Sequence, residues 1–166
     1  MNAPKFLKLA VAGSLISLLA ACGGGGDDFT SDTDAQSSFI SAYSSGLDTL
    51  GSLAGLASGT FRDLFDAGYT DSGMTKAAVV AALDSDVAAL KDVPDFQAFP
   101  IAKLSKASIS NCDLATKVCT LTGTLRNSDA DPTGADASAV TEVTFTTQVR
   151  YGDDSKVRLL GDQSKS

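Results

Sequence analysis

The chain has 166 residues, 20 acidic and 13 basic, for a net charge of −7, and contains neither histidine nor tryptophan. An acidic chain repels the phosphate backbone, which argues against nucleic acid as a partner. The lack of histidine excludes a Ser-His-Asp triad, and no glycine-rich phosphate loop or serine nucleophile elbow is present.

The first segment is basic at Lys5 and Lys8 and then apolar from Leu9 to Leu19, interrupted only by Gly13, Ser14 and Ser17. It falls short of the roughly 20 apolar residues of a spanning helix and has the size of a signal-peptide core. Leu19-Ala20-Ala21-Cys22 follows and resembles the lipobox cut by the lipoprotein signal peptidase. Small residues let the backbone enter a peptidase site extended, and the thiol accepts diacylglycerol. The resemblance implies that residues 1–21 are removed, that Cys22 is the lipidated terminus, and that the membrane is a partner through this lipid. A plain signal peptide with a chance cysteine is the alternative, against which stand the position of Cys22, the apolar length and the four glycines that follow.

Gly23 to Gly26, Asp27 and Asp28 place no packing side chains after the cysteine, so residues 22–33 read as a flexible tether. Each buried acyl CH₂ contributes roughly 0.8 kcal/mol to membrane attachment. Gly23 stands where aspartate retains enteric lipoproteins at the inner membrane; in this the chain is similar to the class sent to the outer membrane, facing the periplasm. All acidic residues lie beyond residue 21 but Lys5 and Lys8 do not, so the mature chain carries −9. Residues 34–166 are long enough for one domain with its own core.

Phe39, Ile40, Tyr43, Leu47, Leu50 and Ala54 recur at spacings of three and four and predict a first helix from Asp34 to Leu56. Gly46, Gly51 and Gly55 weaken this helix, and Gly51, Gly55 and Gly59 point to close approach of another element. A short helical turn is expected over 60–66 and a loop over 67–73. Thr75 then caps a second long helix, Lys76 to Lys91, with Val79, Val80, Leu83, Val87 and Leu90 inward; Val93-Pro94 ends it.

Beyond Phe96 the period becomes two, and strands are expected over 99–110, 118–126, 141–151 and 156–162. In the third, Val143, Phe145, Thr147, Val149 and Tyr151 share one face and Thr144, Thr146, Gln148 and Arg150 the other. Gly152 to Ser155 is a turn, and 127–139 a longer polar loop. Cys112 and Cys119 face each other if a hairpin turns at Leu114 to Lys117, within disulfide range. Closing that loop stabilises by roughly 2.5 kcal/mol on the chain-entropy model. Free thiols are the alternative; a metal site lacks further ligands. The class is α+β: N-terminal helices on a curved antiparallel sheet of about four strands.

The segment Asp63 to Lys76, the amphipathic helix after it, and the ending Gln148 to Gln163 together resemble the NTF2-like domains of bacterial lipoproteins. The resemblance implies a cone, with helices in the mouth of a strongly bent sheet, over about Asp34 to Gln163. Tyr43, Leu47, Leu83, Phe145 and Val149 should converge inside it, as a pocket for a small apolar ligand or as support for an envelope protein partner. No catalytic residue, cofactor or metal is assigned.

Relatives that act as isomerases or hydro-lyases of the ketosteroid-isomerase-like type use tyrosine with aspartate. In this sequence that scheme has Tyr43, Tyr69 and Tyr151 with Asp63 and Asp66 to draw on, although a capping or solvated carboxylate is the ordinary outcome at such helix ends. Asp129 to Asp136 has the opening rhythm of a calcium loop, but Val140 stands where the closing glutamate belongs, and a solvated hairpin loop is expected.

Overall fold

The computed structural model describes residues 32–93, 102–128 and 140–164. Asp32 opens the fold: its carboxylate accepts from the N–H groups of Asp34 and Ala35 at 2.9 and 3.3 Å and so caps helix α1, Thr33–Thr49. The buried positions of α1 are Phe39, Tyr43, Gly46 and Leu47. The sequence predicts that this helix runs on to Leu56. It ends instead at Thr49, and a separate helix α2 occupies Leu53–Ala57.

The break has a local cause that outweighs the continuing apolar stripe. Ser52 is extended (φ −127°, ψ 153°), and its hydroxyl accepts from the Gly55 N–H at 3.1 Å, a cap that starts a new helix. The reversal is so tight that a Cβ at Gly55 would lie 1.8 Å from the Thr49 carbonyl oxygen. A third helix, α3, covers only Gly59–Arg62. It lies close to α1, because a Cβ at Gly46 would meet the Phe61 ring at 2.5 Å. Gly59, by contrast, faces open space.

The expected loop after Ala67 contains a small hairpin, β1 (Thr70–Asp71) paired with β2 (Met74–Thr75). Ser72 and Gly73 link them with φ of 48° and 78°, the paired positive angles of a type I′ turn. Helix α4, Lys76–Leu90, follows, with the Thr75 hydroxyl accepting from the Ala78 N–H at 3.3 Å. Val79, Leu83 and Leu90 are buried, while Val80 and Val87 are only half-buried.

Four strands then form an antiparallel meander in the order β3-β4-β5-β6: Ala102–Asp113, Val118–Ser128, Val140–Tyr151 and Val157–Leu159. The sheet is open, not closed into a barrel. Residues 99–101, expected in the first strand, lie outside the described residues. That strand runs past Ser110 to Asp113 by way of register shifts between Ser105 and Ser108 and between Ser110 and Asp113. Lys106 and Asn111, at φ 52° and 51°, are the extra residues, and such bulges bend a strand. The β4–β5 ladder is unbroken from Val118↔Arg150 to Ser128↔Val140.

On β5 the predicted faces hold for most positions: Phe145, Thr147, Val149 and Tyr151 are buried, Thr144 and Thr146 exposed. Val143 is exposed near the outer end. Helix α1 touches both edge strands, β3 and β6, so the sheet folds around it; the main neighbours of α4 are α2 and β2. Strand β6 stops earlier than the predicted 162. The N–H groups of Leu160 and Gly161 both turn to the Gln148 carbonyl, at 2.8 and 3.2 Å, and the chain leaves the ladder.

The β3–β4 turn falls at Leu114 to Lys117, as the sequence predicts. The Asp113 carboxylate organises it, accepting from the N–H groups of Ala115 and Thr116 at 2.9 and 2.8 Å and from the Thr116 hydroxyl at 3.0 Å. These bonds hold its pKa below the usual carboxylate range, Thr116 contributing most. A disulfide joins Cys112 to Cys119 at the base of this turn, with Cα atoms 4.0 Å apart.

Candidate functional site

The five residues expected in a pocket come from three elements: Tyr43 and Leu47 from α1, Leu83 from α4, Phe145 and Val149 from β5. All five are buried in one hydrophobic core that also holds Phe39, Phe61, Phe65, Leu121 and Leu159. An aromatic series runs through it, from Phe39 to Tyr43 (ring centroids 5.8 Å), Tyr43 to Phe61 (6.4 Å), Phe61 to Phe65 (5.3 Å) and Phe65 to Tyr69 (4.9 Å). The spacing of four at 39 and 43, and at 61, 65 and 69, was visible in the sequence. The meeting of the two runs was not, because it depends on the missing side chain at Gly46. A surface depression lies elsewhere, on α4, lined by Ala67, Lys76, Ala77, Val80, Ala81 and Asp84.

One polar atom interrupts the apolar face of β5. The Thr147 hydroxyl, between Phe145 and Val149, is buried and makes no hydrogen bond. A group in that state costs about 1–3 kcal/mol. Strand alternation places a threonine on the inner face, but its lack of a partner is a three-dimensional fact.

The carboxylates considered for acid–base work are placed differently. Asp63 is exposed. Asp66 is buried, yet both its oxygens are engaged by Arg150: Nη2 donates to Oδ1, and Nε donates to Oδ2 at 3.2 Å. The Gly68 N–H adds a bond to Oδ1 at 2.7 Å. Arg150 lies on the face of β5 opposite Val149, by strand alternation, so the pair holds Asp66 away from the aromatic interior. Sequence reasoning could not join these residues, which stand 84 positions apart. A carboxylate held bidentately by arginine is a structural anion, not a free base.

The phenols keep their protons. Burial raises the Tyr43 hydroxyl to about 12, and the Asp71 carboxylate adds to the effect. Tyr69 is raised further, first by burial and then by Asp71, and Tyr151 is raised by burial. Asp71 is itself raised by partial burial and by Asp162. At Asp162 the opposing effect of burial is outweighed by bonds from the Ser164 hydroxyl and N–H, at 2.5 and 2.7 Å, and from the Ser72 N–H.

Cys22 and the calcium-like loop from Asp129 to Asp136 lie outside the described residues. Among the described residues no group of three or more His, Cys, Asp or Glu side chains is placed to hold a metal ion, and no helix is long and apolar enough to cross a membrane. Comparison with protein-family models, with curated proteins and with solved structures gives no match.

Proposed function

We propose that the chain is a lipid-anchored protein of the cell envelope, held at the outer membrane facing the periplasm, and that its NTF2-like domain works by binding and not by catalysis. The observation that carries this reading is the run from Leu9 to Leu19 ending in Leu19-Ala20-Ala21-Cys22, with a glycine tether beyond it. The first described helix is capped by Asp32, and the Gly-rich composition of residues 23–26 suits a spacer before it. The disulfide between Cys112 and Cys119 suits an oxidising compartment.

Binding is favoured over a tyrosine–aspartate isomerase by the state of the carboxylates. An interior base needs an unpaired carboxylate beside substrate, whereas Asp66 is committed to Arg150 and Asp63 to solvent. The expected pocket residues pack among themselves, which favours an envelope protein over a small apolar ligand as the partner.

Metabolic labelling with a radioactive fatty acid, followed by membrane fractionation, tests the anchor. The wild-type protein should carry label and sediment with outer membranes, and Cys22→Ser should lose both properties. Label retained by the Cys22→Ser protein would refute the assignment.

A further inference from the structure

One pole of the meander brings together the start of α1 and, among the described residues, the most exposed large apolar side chain. Tyr151 ties three segments there. Its N–H donates to the Lys117 carbonyl at 3.0 Å, its hydroxyl to the Asp32 carbonyl at 3.3 Å, and it pairs with Val157 across β5 and β6. The turn from Leu114 to Lys117, the turn from Gly152 to Lys156 and Asp32 therefore share this end, while Ser128↔Val140 closes the described ladder at the other. Leu114, at the tip, is 66% exposed, against 45% for Val93 and 39% for Val143.

The pole differs from the rest of the domain in charge. Lys117 pairs with Asp153 at 3.0 Å, and Arg158 holds Asp154 through two bonds at 2.8 and 2.5 Å. Asp113 is occupied by the N–H groups of its own turn, and Lys156 adds a positive charge. The two turns thus sum to zero charge, with the Asp32 and Asp34 carboxylates beside them at the start of α1, on a mature chain that carries −9. An anionic lipid surface repels the acidic remainder and accepts this tip. The turn is also stiff, stapled by Cys112–Cys119 at its base, so a side chain presented there loses little freedom on contact.

The length of the tether acts in the same direction. Nine residues, four of them glycine, separate Cys22 from Asp32, and a flexible Gly-rich linker of that length spans about 17 Å root-mean-square. A domain of this size measures about 35 Å across. The end that carries Asp32 is held near the lipid, and the opposite end is kept away.

We infer that the Leu114 turn is the membrane-contacting tip of the anchored domain, with Leu114 seated in the interface of the bilayer beside the point where the tether emerges. This rests on the lipidation of Cys22 proposed above, and adds to it an orientation.

The chain has no tryptophan, so a single indole reports its position without background. Lipidated full-length protein carrying Leu114→Trp, or Val143→Trp as a comparator at the far end, would be reconstituted on vesicles of phosphatidylethanolamine and phosphatidylglycerol with brominated acyl chains. Indole favours the bilayer interface. Emission from Leu114→Trp should shift to the blue and be quenched by the brominated lipid, and emission from Val143→Trp should do neither. Protein that floats with the vesicles while both indoles stay unquenched, or are quenched alike, overturns the orientation and leaves the anchor standing. A blue shift without bromine quenching assigns the turn to a protein surface and also overturns it. Protein whose intact mass shows no lipid on Cys22 removes the anchor and the orientation together.

Discussion

The helical half of the domain, residues 32–93, and the meander, residues 102–159, keep their shape by different means. The meander relies on repetition: an uninterrupted β4–β5 ladder, with the Cys112–Cys119 staple at one end. The helical half relies on single fits, such as Gly55 against the Thr49 carbonyl and Gly46 against Phe61. Backbone rungs are the same whatever the side chain, so the strands should tolerate exposed substitutions freely. The helices should fail at individual atoms.

Four substitutions sharpen that contrast. The largest effect is expected inside the meander at Phe145, which is buried on the inner face. Phe145→Asp buries an uncompensated charge and should cost about 4 kcal/mol in urea denaturation, whereas Thr146→Asp on the exposed face should cost under about 1 kcal/mol. Similar losses at both positions would mean that the ladder does not separate two faces.

Gly55→Val drives a branched side chain into the Thr49 backbone and should cost about 3 kcal/mol, seen as a lower urea midpoint. A neutral outcome there would show that the Leu50–Ser52 reversal relaxes readily, and would remove the proposed difference between the halves.

A small effect of opposite sign is expected from Thr147→Val. Removing an orphan hydroxyl without changing the side-chain shape should raise stability by about 1 kcal/mol. A loss of stability would reveal a partner for that hydroxyl.

What could be read from the sequence follows the range of the forces involved. Alternation along residues 143–151 placed Phe145, Thr147, Val149 and Tyr151 correctly because burial of one sheet face imposes period two, but not Val143, which is exposed where the strand has run beyond the core. The limits of α4 were legible because Thr75 caps it within three residues. The break at Leu50–Ser52 was not, since the apolar stripe passes through it and only the packing of α2 on α4 rewards a change of direction. Two-residue strands such as β1 and β2 leave no period to detect; the sole local sign was Asp71-Ser72-Gly73. The convergence of Tyr43, Leu47, Leu83, Phe145 and Val149 in one interior could be inferred from amphipathic faces. How tightly they pack there could not, and the Asp66–Arg150 pair had no local signal at all.

The segment after β5 has a consequence for the order of assembly. Leu159 exchanges backbone bonds with Leu64 and Asp66, at 2.7 and 2.8 Å, and the N–H of Thr70 donates to Leu160 at 3.1 Å. Thr70 accepts in turn from Gln163 at 2.9 Å, and Gly73 donates to Ser164 at 3.1 Å. A ribosome releases residues 64–73 long before residues 159–164 exist, so this clasp closes late, and closure across about 90 residues is slow compared with local contacts. Until then the hairpin of Thr70 to Thr75 lacks these backbone bonds and has α4 as its main neighbour. Completion of the domain is thereby timed to the arrival of its last strand.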